Sequence, residues 1–287
     1  MDISEVTPLK KLLVATDLSA RSDNAVRRAA LLAGELGAAL EVLHVVDDTM
    51  PEKVVEAYEN AARRSLSQLL GTLAAKLKSE PTVTFIRGHG YSAILQRAQK
   101  NDVDLIIIGI TRHTLAALFT GTTAERIIRI GQVPVLMAKD EASGPYQRVL
   151  VATDNSPSAA LALSCALAAA PKAKFCLVHV AHVPFQGLLG QESRDEIREE
   201  RDRKFKDAIS TQIAGAVEKL GIDPPETSVV IEEGDISHVV RDKIRAFDPD
   251  LLVLGTHGRA ALRHALIGSL AQKILADPPA DVLIAKA

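Results

Sequence analysis

Residues 251–269 read LLVLGTHGRAALRHALIGS, and this stretch decides the fold. The apolar run Leu251–Leu254, bounded by Asp250 and Gly255, has the length and composition of a buried parallel strand, and it empties into a glycine-bearing turn. Gly255, Gly258 and Gly268 follow in the pattern G-x2-G-x9-G, and Ser269 stands where a helix begins that ends before Asp277-Pro278-Pro279. Glycines allow positive φ and close approach of the backbone, so that successive amides can point at one anion. A helix starting at Ser269 adds its own unpaired amides and the positive end of its dipole, so the arrangement suits phosphate. Lysine does not follow the last glycine, which excludes the P-loop, and the spacing is not that of a dinucleotide-binding GxGxxG.

G-x2-G-x9-G-[ST] after a terminal strand, with GTHGR around its first two glycines, resembles the nucleotide motif of the universal stress protein family. The resemblance implies an α/β Rossmann-like fold related to the adenine nucleotide alpha hydrolases, with a five-stranded parallel sheet flanked by helices. It also implies adenine nucleotide at the carboxyl ends of the strands and a role in stress survival. At matching positions the implied nucleotide-binding residues are Ala152, Thr153, Asp154, Val180, Gly255, His257, Gly258, Arg259, Gly268, Ser269 and Leu270. Asp154 would bond ribose or adenine, and the backbone at Val180 would meet the adenine edge. Asn155 stands where the family commonly has glycine. The implied ligand is ATP, ADP or AMP, with or without Mg2+.

An internal repeat sets the organisation. LLVATDLS (12–19) returns as VLVATDNS (149–156), VLHVV around His44 as LVHVA around His179, and DLIIIG from Asp104 as DLLVLG from Asp250. Strands alternate with helical patterns in both halves, which argues βαβ units and parallel sheets. Two tandem domains are expected, 1–140 and 147–287, with the polar stretch Lys139–Gln147 as linker. They are expected to pair with each other through their last strands, 133–138 and 281–285, as protomers of a family dimer do; a further homodimer of the tandem chain stays open.

The two halves differ at the motif. Arg112 stands where Gly258 does, the gap from Gly109 to Gly121 is one residue shorter than that from Gly255 to Gly268, and Glu125 completes a capping box with Thr122. A carboxylate there competes for the amides that phosphate needs, while the matching residue in the second half is the neutral Gln272. The second domain is therefore the expected nucleotide site. Asp17, Arg112 and Thr122 leave open a ligand in the first.

Other candidates have bland alternatives. His179 reads as a satisfied core histidine; Arg263 and His264 read as a solvated helix face; Glu232, Glu233 and Asp235 read as an acidic turn more readily than as a magnesium site. The segment 183–191, VPFQGLLGQ, is either a flap over the nucleotide or a loop tucked onto its own domain. Ser156 and Pro157 read as N-cap and first residue of a helix.

Composition narrows the function. The 287 residues are 47% hydrophobic, and 34 basic residues against 36 acidic ones leave a formal charge of −2, so no global attraction to nucleic acid or anionic membrane is expected. No apolar run approaches the ~20 residues of a membrane span, and a cytoplasmic location is expected. Cys165 and Cys176 read as buried structural thiols, and the eight histidines form no metal-type pair. With no Ser-His-Asp order and no paired carboxylates, no residue is assigned to catalysis or to a metal. The reading is a stress-response sensor or adaptor that binds adenine nucleotide. The alternatives are a slow ATPase or phosphotransferase and a nucleotide-free interaction scaffold.

Overall fold

The computed structural model describes residues 7–49, 51–110, 122–181, 191–256 and 268–287. The first half runs β1 (Lys11–Thr16), α1 (Ala20–Leu36), β2 (Ala39–Val46), α2 (Glu52–Leu73) with a 3-10 turn (Ala74–Lys76), β3 (Thr82–Arg87), α3 (Gly90–Lys100), β4 (Leu105–Gly109), α4 (Thr123–Ile130) and β5 (Val135–Ala138). The second half repeats the order with β6 (Arg148–Ala152), α5 (Pro157–Ala169), β7 (Lys174–Ala181), α6 (Gln191–Leu220), β8 (Thr227–Glu233), α7 (Ile236–Phe247), β9 (Leu251–Gly255), α8 (Ser269–Ala276) and β10 (Asp281–Ala285). The 183–190 stretch of the suggested flap lies outside the described residues.

Each half forms the expected five-stranded parallel sheet, and the two fuse into one sheet of ten strands in the order β3-β2-β1-β4-β5-β10-β9-β6-β7-β8. The junction is the antiparallel pair β5–β10, with Leu136 opposite Leu283. Strands inside this sheet are covered on both faces, which is why β1, β4, β6 and β9 read as continuous apolar runs and the outer strands β3 and β8 are only half-buried. One apolar cluster packs α1, α2, α5 and α6 on the first face, and the other packs α3, α4, α7 and α8 on the second. The aspartates that open DLIIIG and DLLVLG tie strands together: Asp104 accepts from the amides of Lys10 and Lys11, and Asp250 from those of Gln147 and Arg148.

Local chemistry ends the elements where the residues demand it. Gly37 closes α1 with a left-handed φ of 67°. Ser156 caps α5 by accepting from the Ala159 amide at 3.3 Å, with Pro157 at the first helical position. Just before it, Asn155 has φ 59°, and its counterpart Leu18 has φ 65°. Asparagine tolerates that left-handed conformation and a β-branched residue does not. Asn155→Val is therefore expected to lower stability by about 1–2 kcal/mol and Asn155→Gly to leave it nearly unchanged, as read from urea denaturation midpoints.

The stretch 139–147 is not a loose linker. Tyr146 is 2% exposed, and its hydroxyl donates to Asp281 at 2.7 Å. The same carboxylate accepts from Arg28 Nε at 2.9 Å and from the Lys139 amide at 2.8 Å. Arg28 also donates to the Gly144 carbonyl and lies over the Tyr146 ring, 4.1 Å from its centroid. An aromatic ring in a polar segment has buried itself at the seam and brought a charge pair with it. Both cysteines are free thiols; Cys176 is buried as expected and Cys165 only half-buried, though burial of its sulfur pushes the Cys165 thiol up to about 12.

Candidate functional site

In an open parallel sheet the strand order reverses at a point where the connections leave in opposite directions, and a crevice forms at the carboxyl ends there. This happens twice, between β1 and β4 and between β6 and β9. A cavity lies at each place.

The second-half cavity, about 230 Å³, is lined by Ala152, Thr153 and Asp154 at the end of β6, by Val178, His179 and Val180 of β7, by Gly255 and Thr256 after β9, and by Gly268–Ala271 at the start of α8. Eight of the eleven sequence-expected residues thus converge: Ala152, Thr153, Asp154, Val180, Gly255, Gly268, Ser269 and Leu270. His257, Gly258 and Arg259, like Arg263 and His264, lie outside the described residues. Asp154 makes the turn contact its residue type favours, accepting from the Ser156 amide at 3.0 Å, and lines the cavity as well. His179 is partnered through Nδ1 to the Thr153 carbonyl at 2.9 Å and stacks on Phe205 with centroids 4.0 Å apart. It is a satisfied histidine, but it also walls the cavity.

Gly255 and Gly268 act through close approach rather than through unusual dihedrals. Neither Gly255 nor Gly268 has a left-handed φ; Gly268 sits at φ −57°, ψ 152°. A Cβ on Gly255 would stand 2.7 Å from the Ala159 nitrogen in the first turn of α5, and one on Gly268 would stand 3.2 Å from the Thr256 carbonyl oxygen. Thr256, which the sequence reading passed over, is 1% exposed, and its carbonyl accepts from the Gly268 amide at 2.8 Å. Ile236 and Val240 of α7 complete the wall. Their signal was the helical period of 236–247, which marks an apolar face but not what it faces.

The first-half cavity is larger, about 330 Å³, and includes Asp17, Arg21, His44, Asp47, Tyr58, Gly109 and Thr123. Burial pushes the Asp17 carboxyl up, but hydrogen bonds from Ser19 and Ser22 outweigh it and hold the group below its ordinary range. His44 is engaged at both nitrogens, Nδ1 with the Thr16 carbonyl at 2.8 Å and Nε2 with the Tyr58 hydroxyl at 3.1 Å. The two halves diverge at the helix that follows. In α4 the capping box is complete: Glu125 accepts from the Thr122 amide at 3.0 Å, and Thr122 Oγ1 accepts from the Glu125 amide at 3.1 Å. In α8 the cap residue is Gly268, with no side-chain cap.

The helix frames are therefore offset by one residue. Ser269 is the first residue of α8, whereas its counterpart Thr122 is the cap of α4. Gln272 consequently falls one place beyond the capping-box position and sends its amide to the Gly268 carbonyl at 2.9 Å. The expected contrast between Glu125 and Gln272 holds in charge but arises from this shift of frame.

The acidic residues at the end of β8 and in the turn after it are used internally. Glu232 pairs with Lys243, Glu233 with Arg201 at 3.3 Å, and Asp235 caps α7 by accepting from the His238 amide at 3.0 Å. Among the described residues no cluster of three or more His, Cys, Asp or Glu could hold a metal, and no helix is long and apolar enough to cross a membrane.

The model of the universal stress protein family matches this chain twice, over residues 8–139 and 145–286. A universal stress protein of Mycolicibacterium smegmatis is 23% identical over 297 residues, covering 96% of each chain. Universal stress protein A homolog 1 of Coxiella burnetii is 28% identical over 138 residues, covering 44% of this chain and 94% of its own length. Among solved structures, a universal stress protein from Archaeoglobus fulgidus superposes with a TM-score of 0.71 at 19% identity, covering 98% of both chains, a likeness of fold. With one family model accounting for both halves, the chain belongs to the universal stress protein family.

Proposed function

We propose that this universal stress protein binds an adenine nucleotide in its second domain, residues 147–287, and acts in the cytoplasm as a stress-response sensor or adaptor rather than as a fast enzyme. The observation that carries the reading is the start of α8. Gly268, Ser269 and Leu270 line the cavity at a helix terminus that no side chain among the described residues caps, whereas the equivalent terminus in the first half is taken by the Glu125 carboxylate. Polyphosphate is drawn to the uncapped end by its amides and dipole and is repelled from the capped one. Asp154 is at hand for ribose hydroxyls, the backbone of β7 at Val180 for the adenine edge, and the Ser269 hydroxyl for a phosphate oxygen. Mg2+ would travel with the polyphosphate.

Calorimetric titration of ATP with Mg2+ into the full chain tests this, with a stoichiometry of one as the expected outcome. Two equivalent sites would overturn the assignment to the second domain alone. Absence of binding to the folded chain would overturn the nucleotide reading and favour a nucleotide-free scaffold.

A further inference from the structure

Beside the second-half cavity, and sharing Val240 and Leu270 with it, an open groove of about 490 Å³ runs between α7 and α8. Its floor is apolar, extended by Ile244 and Ile274. Its lining carries four cations, Lys139, Arg241, Arg245 and Lys273, against the single carboxylate of Asp277. The chain as a whole has a formal charge of −2, so this is a local concentration of opposite sign. Arg241 and Arg245 are four apart on α7 and stand on the same side of the helix. Both are exposed; Arg245 lies 3.9 Å from Asp242, an exposed pair of little energetic weight, and Lys273 is anchored to Ser237 at 2.9 Å. Lys139 directly follows β5, at the start of the connection, and its ammonium donates to the Pro279 carbonyl at 3.1 Å, so the connection and the second half build the groove together.

The internal repeat supplies a control. The positions of Arg241 and Arg245 are occupied in the first half by Leu95 and Gln99. Leu95 is half-buried there and covers Gly131, whose added Cβ would meet its Cδ2 at 2.9 Å. Arg126 and Lys286 stand at the positions of Lys273 and Lys139, so the repeat keeps two of the cations; at the two α7 positions the first half forms without a cation, and Leu95 covers Gly131 there. The second half opens this spot and adds positive charge to it.

We propose that this groove is a docking site for an acidic peptide segment of a partner protein, one in which carboxylates alternate with apolar side chains. The floor requires apolar groups and the rim requires anions, and a segment of this kind supplies both. A nucleic acid fits less well, because among the described residues no aromatic side chain lines the groove to stack a base. A bare polyanion would leave the floor uncovered. The assignment stands independently of nucleotide binding and is tested in its absence.

The test is fluorescence anisotropy of the full chain with a labelled synthetic peptide of alternating Glu and Leu. An all-Glu peptide, polyphosphate and single-stranded DNA serve as competitors. The expected result is saturable binding that weakens as salt is raised, falls at least about tenfold in Arg241→Glu/Arg245→Glu, and falls by a smaller factor in Lys273→Gln. A charge-matched control on exposed residues of the first half, Lys76→Glu/Lys100→Glu, is expected to bind as the parent does. Unchanged thermal unfolding of each variant separates lost docking from lost folding. Absence of peptide binding, equal loss in the control, or competition by polyphosphate or DNA as effective as that by the Glu/Leu peptide would each overturn the proposal.

Discussion

Replacing Asp281 with alanine is expected to lower the unfolding free energy of the whole chain by about 3–5 kcal/mol, the range for removing one member of a buried ion pair. The side chains of Arg28 and Asp281 are 9% and 5% exposed, so solvent screens their interaction little. Removing the carboxylate strands the Arg28 guanidinium, the Tyr146 hydroxyl and the Lys139 amide, all of which now donate to it. Arg28 belongs to the first half, Tyr146 and Lys139 to the connection, and Asp281 to the strand of the second half that pairs with β5. The loss should therefore appear as a weakening of the seam, detected by urea denaturation of the parent and variant. Arg28→Met/Asp281→Leu is expected to lose less than either single change, because an apolar pair leaves no buried charge behind. A double variant as unstable as the sum of the singles would refute the ion-pair account.

The same cluster adds a pH dependence. Burial first, then the Asp281 carboxylate, push the Tyr146 hydroxyl well above its ordinary value. The folded state holds this proton more tightly than the unfolded chain does. Its contribution is thus intact below about pH 10, the ordinary tyrosine value, and is lost as pH rises beyond it. Tyr146→Phe should remove that part of the alkaline decline and leave stability at neutral pH lower by about 1.5–3 kcal/mol, the worth of a hydrogen bond to a charged group. An identical alkaline slope in parent and variant would reject the assignment.

This seam was a part of the fold that the sequence concealed. The repeat follows from 12–19 recurring at 149–156 and the alternation of strands and helices from the apolar runs, the pairing of the last strands was implied by the family resemblance, and the strand order within each half came from the structure. Arg28 and Asp281 are 253 residues apart, and neither has an ionic equivalent in the other half, where Cys165 lies on α5 and Pro134 precedes β5; periodicity cannot connect them. At the site, residue identity was legible and conformation was not. The motif glycines suggested positive φ, yet among the described residues next to the cavity it is Asn155 that is left-handed, and Gly255 and Gly268 are small because Ala159 and Thr256 crowd them. The one-residue shift between α4 and α8 was hidden as well, since aligned sequences match Thr122 to Ser269 although one caps its helix and the other begins it. Capping is decided by where the preceding backbone delivers the chain, and that is a tertiary matter.

Gly268→Val is expected to weaken ATP binding at least about 100-fold while the chain stays folded. Valine adopts φ −57°, ψ 152° without strain, so the backbone itself is no obstacle. Its Cβ would stand 3.2 Å from the Thr256 carbonyl oxygen, on a residue 1% exposed whose own amide is fixed to Ala285 at 2.9 Å. Thr256 cannot yield, so residue 268 must move and carry the first amides of α8 with it. Losing two charge-assisted hydrogen bonds of about 1.5–3 kcal/mol each corresponds to that factor or more. Gly255→Ala should do the opposite, reducing stability by about 1–3 kcal/mol by overpacking against α5. Gly109→Ala should do the same in the first half, where a Cβ would meet the Arg21 carbonyl oxygen of α1 at 2.6 Å. The half with the capped helix has kept the glycine that packing needs and carries Arg112 in place of the one at 258, so one motif joins two separable demands. Calorimetry and denaturation on the three variants would show them apart; equal loss of affinity and stability in all three would mean that the glycines serve the fold alone.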